Sequence, residues 1–266
     1  KAMIGDDLEF ELEWASVYQF ACRRIDKFRY GRVLFAGDAA HQVSPFGARG
    51  ANTGVQDIDN LSWKLAAVIR GEAPLELLDT YHSERAFAAD DNLLNSTRST
   101  DFITPKNGAS KRFRNAVLEL SKKTDFARPL VNSGRLSKPT PYVGSSLNTN
   151  DTGNWSGTMC PGTCAADAPI SVDGSEGWLL EQTGVGFTLL GLGVAVQPVE
   201  AGVFSPRILN LGADFKDSEG LVTERYDAAV GAVYLIRPDQ HIAARWRTFD
   251  TEAVRDAISK ATAGAI

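Results

Sequence analysis

The sequence predicts a mixed α/β chain in two unequal parts, and three observations carry that reading. A short apolar run at residues 33–36 gives way to a Gly-rich loop and then to apolar residues at three- and four-residue intervals, the strand, loop and helix order of an α/β unit. The last hundred residues hold short strand-like runs, such as Phe187-Thr188-Leu189-Leu190-Gly191-Leu192 and Ala232-Val233-Tyr234-Leu235-Ile236, and close on a helical run at 251–262. Between the parts, residues 126–158 are rich in Pro, Ser, Asn, Gly and Thr, the composition of an extended connector. A chain of 266 residues has room for two ordinary domains.

Composition narrows the function. A net charge of −5 provides no basic stripe for nucleic acid. No apolar run approaches the roughly 20 residues of a membrane-spanning helix, and no signal-like segment opens the chain. The three cysteines, Cys22, Cys160 and Cys164, fit a reducing compartment, so the expectation is a cytoplasmic protein without membrane or nucleic-acid partners.

In chain order, residues 8–20 place Leu8, Phe10, Leu12, Trp14, Val17, Tyr18 and Phe20 among polar residues, which predicts strand pairing with one covered face. Arg23, Arg24 and Arg29 follow, read either as anion or cofactor contacts or as a solvated basic edge. After the strand at 33–36 and the Gly-rich loop, a helix starting near Asn52 and ending at Gly71 carries Val55, Ile58, Leu61, Leu65 and Val68 or Ile69 on one stripe, with Asp57, Asp59, Lys64 and Arg70 directed elsewhere. A second helix runs from Pro74 to about Leu94, and a third over 110–122 sets Phe113, Val117 and Leu120 against a basic face. In the connector, Leu130, Val131, Leu136, Tyr142, Val143 and Leu147 supply apolar anchors. Strands at 178–180, 187–192, 207–211 and 232–236 precede a turn at 237–240, a return strand at 241–246 and the final helix, whose apolar side includes Val254 and Ile258.

The stretch with most chemistry is the loop after the first strand. A strand ending in Gly37-Asp38 presents one carboxylate at the carboxyl edge of a sheet, where α/β folds place ligands, and Asp38 can accept hydrogen bonds from a polyol chain there. Glycines 47, 50 and 54 admit a flat ligand, and the first N–H groups of the next helix have no intrahelical partner. A plain strand-turn-helix with an acidic cap is the rival reading. His41 and His82 lack a second His or Cys at metal-ligand spacing, so both are read as polar packing residues and no metal is expected.

The run Gly37-Asp38-Ala39-Ala40-His41, Pro45, Gly47, Gly50, Asn52 and Gly54-x-x-Asp57 resembles the flavin motif of the FAD-dependent aromatic hydroxylases, of the para-hydroxybenzoate and phenol hydroxylase type. The resemblance implies Asp38, after Gly37, on the ribityl chain of FAD. It puts Pro45 and Gly47 beside the isoalloxazine ring, with Pro45 acting through its backbone near the flavin peroxide. Backbone N–H groups of Gly50, Ala51 and Asn52 then meet the pyrimidine edge. No side chain is identified as an acid or base. The implied activity is hydroxylation of a phenolic or polyketide-like aromatic substrate through a flavin hydroperoxide, with NAD(P)H as reductant. Tyr81-x-x-Glu84-Arg85 matches a family motif and implies packing and ion pairing against the FAD domain.

The same family carries a Gly-x-Gly-x-x-Gly fingerprint for the FAD pyrophosphate ahead of the Gly-Asp motif. Gly184-Val185-Gly186 and Gly191-Leu192-Gly193 both lack the third glycine and lie downstream. The expectation is therefore the carboxyl-terminal part of an FAD-binding Rossmann-like domain, from a protein of roughly 500 to 600 residues whose amino-terminal half is missing. Arg237-Pro238-Asp239-Gln240-His241, with Arg245-Trp246, extends the resemblance to the appended thioredoxin-like unit of several such hydroxylases. The implied division is 1–30, a remnant of the substrate-domain sheet and the return to the FAD domain; 31–125, the FAD-domain part; 126–158, the connector; and 159–266, the thioredoxin-like unit, with a homodimer through it. Two rivals stay open: an inactive flavin-binding fragment, and a thiol oxidoreductase or interaction module built on the tail. Cys160 and Cys164 are spaced by three residues instead of two, away from any helix start, which disfavours a redox pair.

Overall fold

The structure, a computed structural model, describes residues 11–46, 49–131 and 138–266. Residues 11–20 have no regular secondary structure and leave Leu12, Trp14, Val17, Tyr18 and Phe20 exposed. The strand expected over 8–20 is thus not formed in its described part, and residues 8–10 lie outside the described residues. Strand backbone needs a neighbour to take its N–H and C=O groups, and no described strand pairs with this one.

Two short ladders come next. β1 (Arg23–Arg24) pairs antiparallel with β4 (His41–Gln42), and β2 (Arg29–Tyr30) with β3 (Val33–Leu34). β3 is shorter and less buried than its apolar run implied, because Val33 faces solvent. The long helices α1 (Gly50–Ile69) and α2 (Leu77–Ile103) pack on these ladders around Phe28, Ala40, Leu61, Leu78, Tyr81 and Ala89. α2 runs on past Leu94, where Ser96 and Thr100 bond the Ser44 hydroxyl at 2.8 and 2.7 Å. α3 (Gly108–Ser121) starts under an Asn107 cap, whose side chain accepts the Ser110 N–H at 2.9 Å; it buries Val117 while Phe113 and Leu120 remain exposed.

The connector is not extended throughout. A 3-10 turn at Asp125–Ala127 and α4 (Arg128–Val131) open it; Tyr142 and Leu147 are its buried anchors, Leu130 and Val143 are exposed, and Leu136 lies outside the described residues. Beyond it, β5 (Pro169–Val172) and β6 (Ser175–Trp178) form a hairpin, so residues 179–180, expected in a strand, instead enter a 3-10 turn at Leu179–Gln182. β7 (Thr188–Leu192), β8 (Arg207–Asn210), β9 (Lys216–Asp217), α5 (Leu221–Arg225), β10 (Ala232–Ile236), β11 (Ile242–Trp246) and α6 (Thr251–Ala261) complete the chain.

The main sheet has the order β11-β10-β7-β8, with β7 and β8 parallel and the other neighbours antiparallel. α6 packs on this sheet through Val254 and Ile258. β7 and β10 are buried on both faces, which is why they read as unbroken apolar runs. Leu190, Leu192, Tyr234 and Ile236 pack with Ile170, Leu179 and Tyr226 on one side. On the other, Leu189, Val233 and Leu235 pack with Val254 and Ile258 of α6 and also with Ala67 of α1 and Leu77 of α2. The part that reads as separate in composition shares a core with the first helices.

Candidate functional site

The candidate site is built on the turn between β3 and β4. Gly37–Ala39 forms one 3-10 turn, closed by the Ala40 N–H on the Gly37 carbonyl at 2.9 Å. Gly37 has φ +58°, a left-handed conformation that a side chain would strain. Its N–H donates to Asp57 Oδ2 at 2.8 Å. Asp38 is exposed, with no side-chain hydrogen bond among the described residues. It lines two cavities, of about 290 and 450 Å³, that also share Arg23 and Gln42.

Gly50, Ala51 and Asn52 form the first turn of α1, which starts two residues earlier than expected, and no described side chain caps it. The helix start comes close to the turn: a Cβ on Gly54 would lie 3.5 Å from Gly37 Cα. Gly37, Ala51 and Gly54 line a third groove of about 660 Å³ with Val55 and Ile58. Pro45 is exposed in the loop between β4 and α1 and lines none of these cavities; Gly47 lies outside the described residues. Arg24 and Arg29 are paired with Asp90 and Asp79, whereas Arg23 donates to Gln42 at 2.9 Å beside Asp38. His41 Nδ1 is buried without a partner among the described residues, in the wall of the smaller cavity. An exposed carboxylate beside a helix start, with a ring nitrogen that has no partner among the described residues, fits a ligand with hydroxyl groups and an anionic edge, as the ribityl chain and ring of FAD present.

Behind the turn lies a buried polar network, in which Arg85 makes the ion pairing its motif implied and Asp57, expected to point away from the core, is its buried partner. Asp57, fully buried, takes His41 Nε2 at 2.7 Å on Oδ2 and Arg85 Nε at 2.6 Å on Oδ1. Burial works against its charge, but the His41 hydrogen bond and the Arg85 charge outweigh it and hold the carboxyl below its ordinary value. Arg85 also donates to the Tyr142 hydroxyl at 2.7 Å and the Thr53 carbonyl at 3.1 Å. Burial raises the Tyr142 phenol to about 12.

A second cluster joins α1 and α2 to the turn between β10 and β11. Glu84 accepts from Lys64 Nζ (2.7 Å), Asn60 Nδ2 (2.7 Å) and Arg237 Nη1 (2.7 Å), while Asp239 accepts from Arg237 Nε (2.9 Å) and Asn60 Nδ2 (3.0 Å). Burial would protonate Glu84; Arg237 and Lys64 reverse that and hold it well below the carboxylate range. Burial also draws Lys64 down to about 8 despite Glu84. Tyr142 stacks on His241 at 4.4 Å, linking the two clusters.

The buried face of α1 is therefore Thr53, Asp57, Asn60, Leu61, Lys64 and Ala67; of the expected stripe, Leu61 is buried and Leu65 and Val68 pack against the core, whereas Val55, Ile58 and Ile69 are exposed. Asp57 and Lys64, read as pointing elsewhere, are core residues. Polar residues at 53, 57, 60 and 64 recur at the same interval as a core stripe, and their partners stand in the two motifs, Glu84-Arg85 and Arg237 to His241, that the family pattern singles out. At the other candidate site, burial raises the Cys164 thiol to about 11, the reverse of what a reactive thiolate needs.

The fold is mixed α/β, and its first part carries the strand, turn and helix of the candidate site. Residues 1–96 match the family described as FAD binding domain. The chain is similar to the 6-methylpretetramide 4-monooxygenase of Streptomyces rimosus, 32% identical over 88% of this chain and 45% of that protein. Aklavinone 12-hydroxylase of Streptomyces purpurascens is 31% identical over 96% of this chain and 47% of its own. The fold is also that of the flavin-dependent monooxygenase PieE, solved with FAD and substrate: TM-score 0.69 at 22% identity, covering 93% of this chain and 50% of that one. These matches show a likeness to FAD-dependent monooxygenases and hydroxylases, and the chain spans about half the length of the curated relatives it matches along most of its sequence. Among the described residues no helix is long and apolar enough to cross a membrane.

Proposed function

We propose that this chain forms the ribityl and ring side of the flavin site in an FAD- and NAD(P)H-dependent monooxygenase that hydroxylates a phenolic or polyketide-like aromatic ring. The observation that carries the reading is the Gly37–Ala39 turn held against the start of α1 at Gly54, with the exposed Asp38 carboxylate beside it. Bound FAD, reduced by a nicotinamide, supplies the oxygen activation. This chain's part is to hold and orient it. Asp38 accepts the ribityl hydroxyls, and the N–H groups of Gly50, Ala51 and Asn52 take negative charge at the pyrimidine edge, where the helix dipole favours it. Pro45 and Gly47 border the ring and exclude water there, Pro45 through its backbone.

The same reading divides the chain at 1–30, 31–125, 126–158 and 159–266, with the last part as a structural unit through which two copies pair. Its three unpaired cysteines suit a cytoplasmic protein. The test is Asp38→Ala. In the full-length enzyme, flavin titration of the folded variant is expected to show binding weakened by about 1.5 to 3 kcal/mol, the worth of a hydrogen bond to a charged group. A variant that loses folding stability but binds FAD as before makes Asp38 a helix-side cap instead. Product analysis with phenolic and polyketide substrates identifies the substrate.

A further inference from the structure

The Asp57 carboxylate uses both oxygens on three groups: Arg85 on Oδ1, and the Gly37 N–H and His41 Nε2 on Oδ2. Gly37 immediately precedes Asp38, and His41 follows it by three residues. A glycine visits left- and right-handed backbone almost equally, so a Gly-Asp turn left to itself would spread the Asp38 carboxylate over several positions. One fully buried carboxylate here fixes the peptide before Asp38 and the ring after it. Arg85, itself fully buried and held by Tyr142 and by the Thr53 carbonyl, keeps that carboxylate in place.

We propose that Asp57 is a positioning residue for the flavin: a clamp that holds the turn in the one conformation in which Asp38 meets the ribityl chain, with Arg85 as its brace. This rests on the reading of Asp38 as the ribityl ligand. A carboxylate that only neutralised Arg85 would have no need of the Gly37 amide, nor would one that only packed α1 against α2. Preorganising Asp38 removes the ordering cost that binding would otherwise meet.

The test uses the full chain and two readouts. In Asp57→Asn, hydrogen exchange at the Gly37 amide is expected to speed up by about tenfold or more while the amides of Val254 and Ile258 are unchanged, because only the local bond is lost. FAD affinity is expected to fall about tenfold, with a shift in the absorbance maxima of bound flavin. Lys64→Met, which removes a buried charge that does not touch Asp57, controls for stability. If Asp57→Asn loses stability as Lys64→Met does, yet keeps wild-type Gly37 exchange or wild-type FAD affinity, the clamp is overturned. If Asp57→Asn does not fold, Arg85→Lys, which cannot reproduce the planar set of donors, is expected to change both readouts in the same direction, and no change overturns the proposal. An Asp38→Ala variant that binds FAD like wild type counts against the ribityl reading instead; Gly37 exchange then decides the clamp by itself.

Discussion

Gly162 lies between Cys160 and Cys164, and its backbone explains that segment better than its thiols do. Its carbonyl accepts the Tyr142 N–H at 2.8 Å and its N–H donates to the Ile242 carbonyl at 2.7 Å, so three chain segments cross at one residue. φ is +93°, and a Cβ there would come within 2.5 Å of the Tyr142 carbonyl oxygen. Gly162→Ala is therefore expected to cost roughly 2 to 4 kcal/mol, from backbone strain and overpacking together, measured by urea unfolding. An unchanged midpoint would mean that the Tyr142 segment moves aside freely. The need for glycine here comes from a partner 20 residues away, Tyr142, that no local pattern shows.

At the scale of the element, α1 is the informative case. Its existence and end follow from periodicity, and so do β7, β10, β11 and α6, where apolar spacing and burial agree. Its rotation does not, because the buried stripe is polar and a stripe of charges ordinarily faces water. Only knowing that Glu84 and Arg237 arrive from other elements makes Asp57, Asn60 and Lys64 read as core. The candidate loop was legible because its pattern is local; Asp57 stood in that pattern, but its burial and its Arg85 partner did not show there. Removing one member of such a cluster strands the others without water. Glu84→Ala leaves Lys64 and Arg237 facing each other with Asp239 as the remaining buried carboxylate, and is expected to cost roughly 3 to 5 kcal/mol by chemical denaturation. Glu84→Ala within about 1 kcal/mol of wild type would place the joint in water rather than in the core.

For the whole molecule, the joint sets the response to acid. Burial raises the carboxyl groups of Asp57, Glu84 and Asp239, but their cationic partners more than reverse this, so all three are held below their ordinary values. The unfolded chain takes up these protons at a pH where the folded chain still refuses them. Stability from this source is complete above about pH 4, the unfolded value, and is lost as pH falls through the lower folded values. Melting temperature is expected to hold from pH 7 to 5 and to fall steeply below 4, with α1, α2 and the main sheet melting in one transition because they share both a core and the ion cluster. Two separate acid transitions would show that the two parts come apart independently.

The joint also limits how this protein can be recombined. The connector invites a cut, and by composition the tail looks like a cassette to be exchanged for that of a relative. Yet Arg237 and Asp239 on one side answer Asn60, Lys64 and Glu84 on the other. A graft made at the connector would bury the old lock against a foreign key. A working chimaera has to inherit both halves of the cluster from one parent, so the unit of inheritance is the matched pair and not the stretch of chain between two linkers.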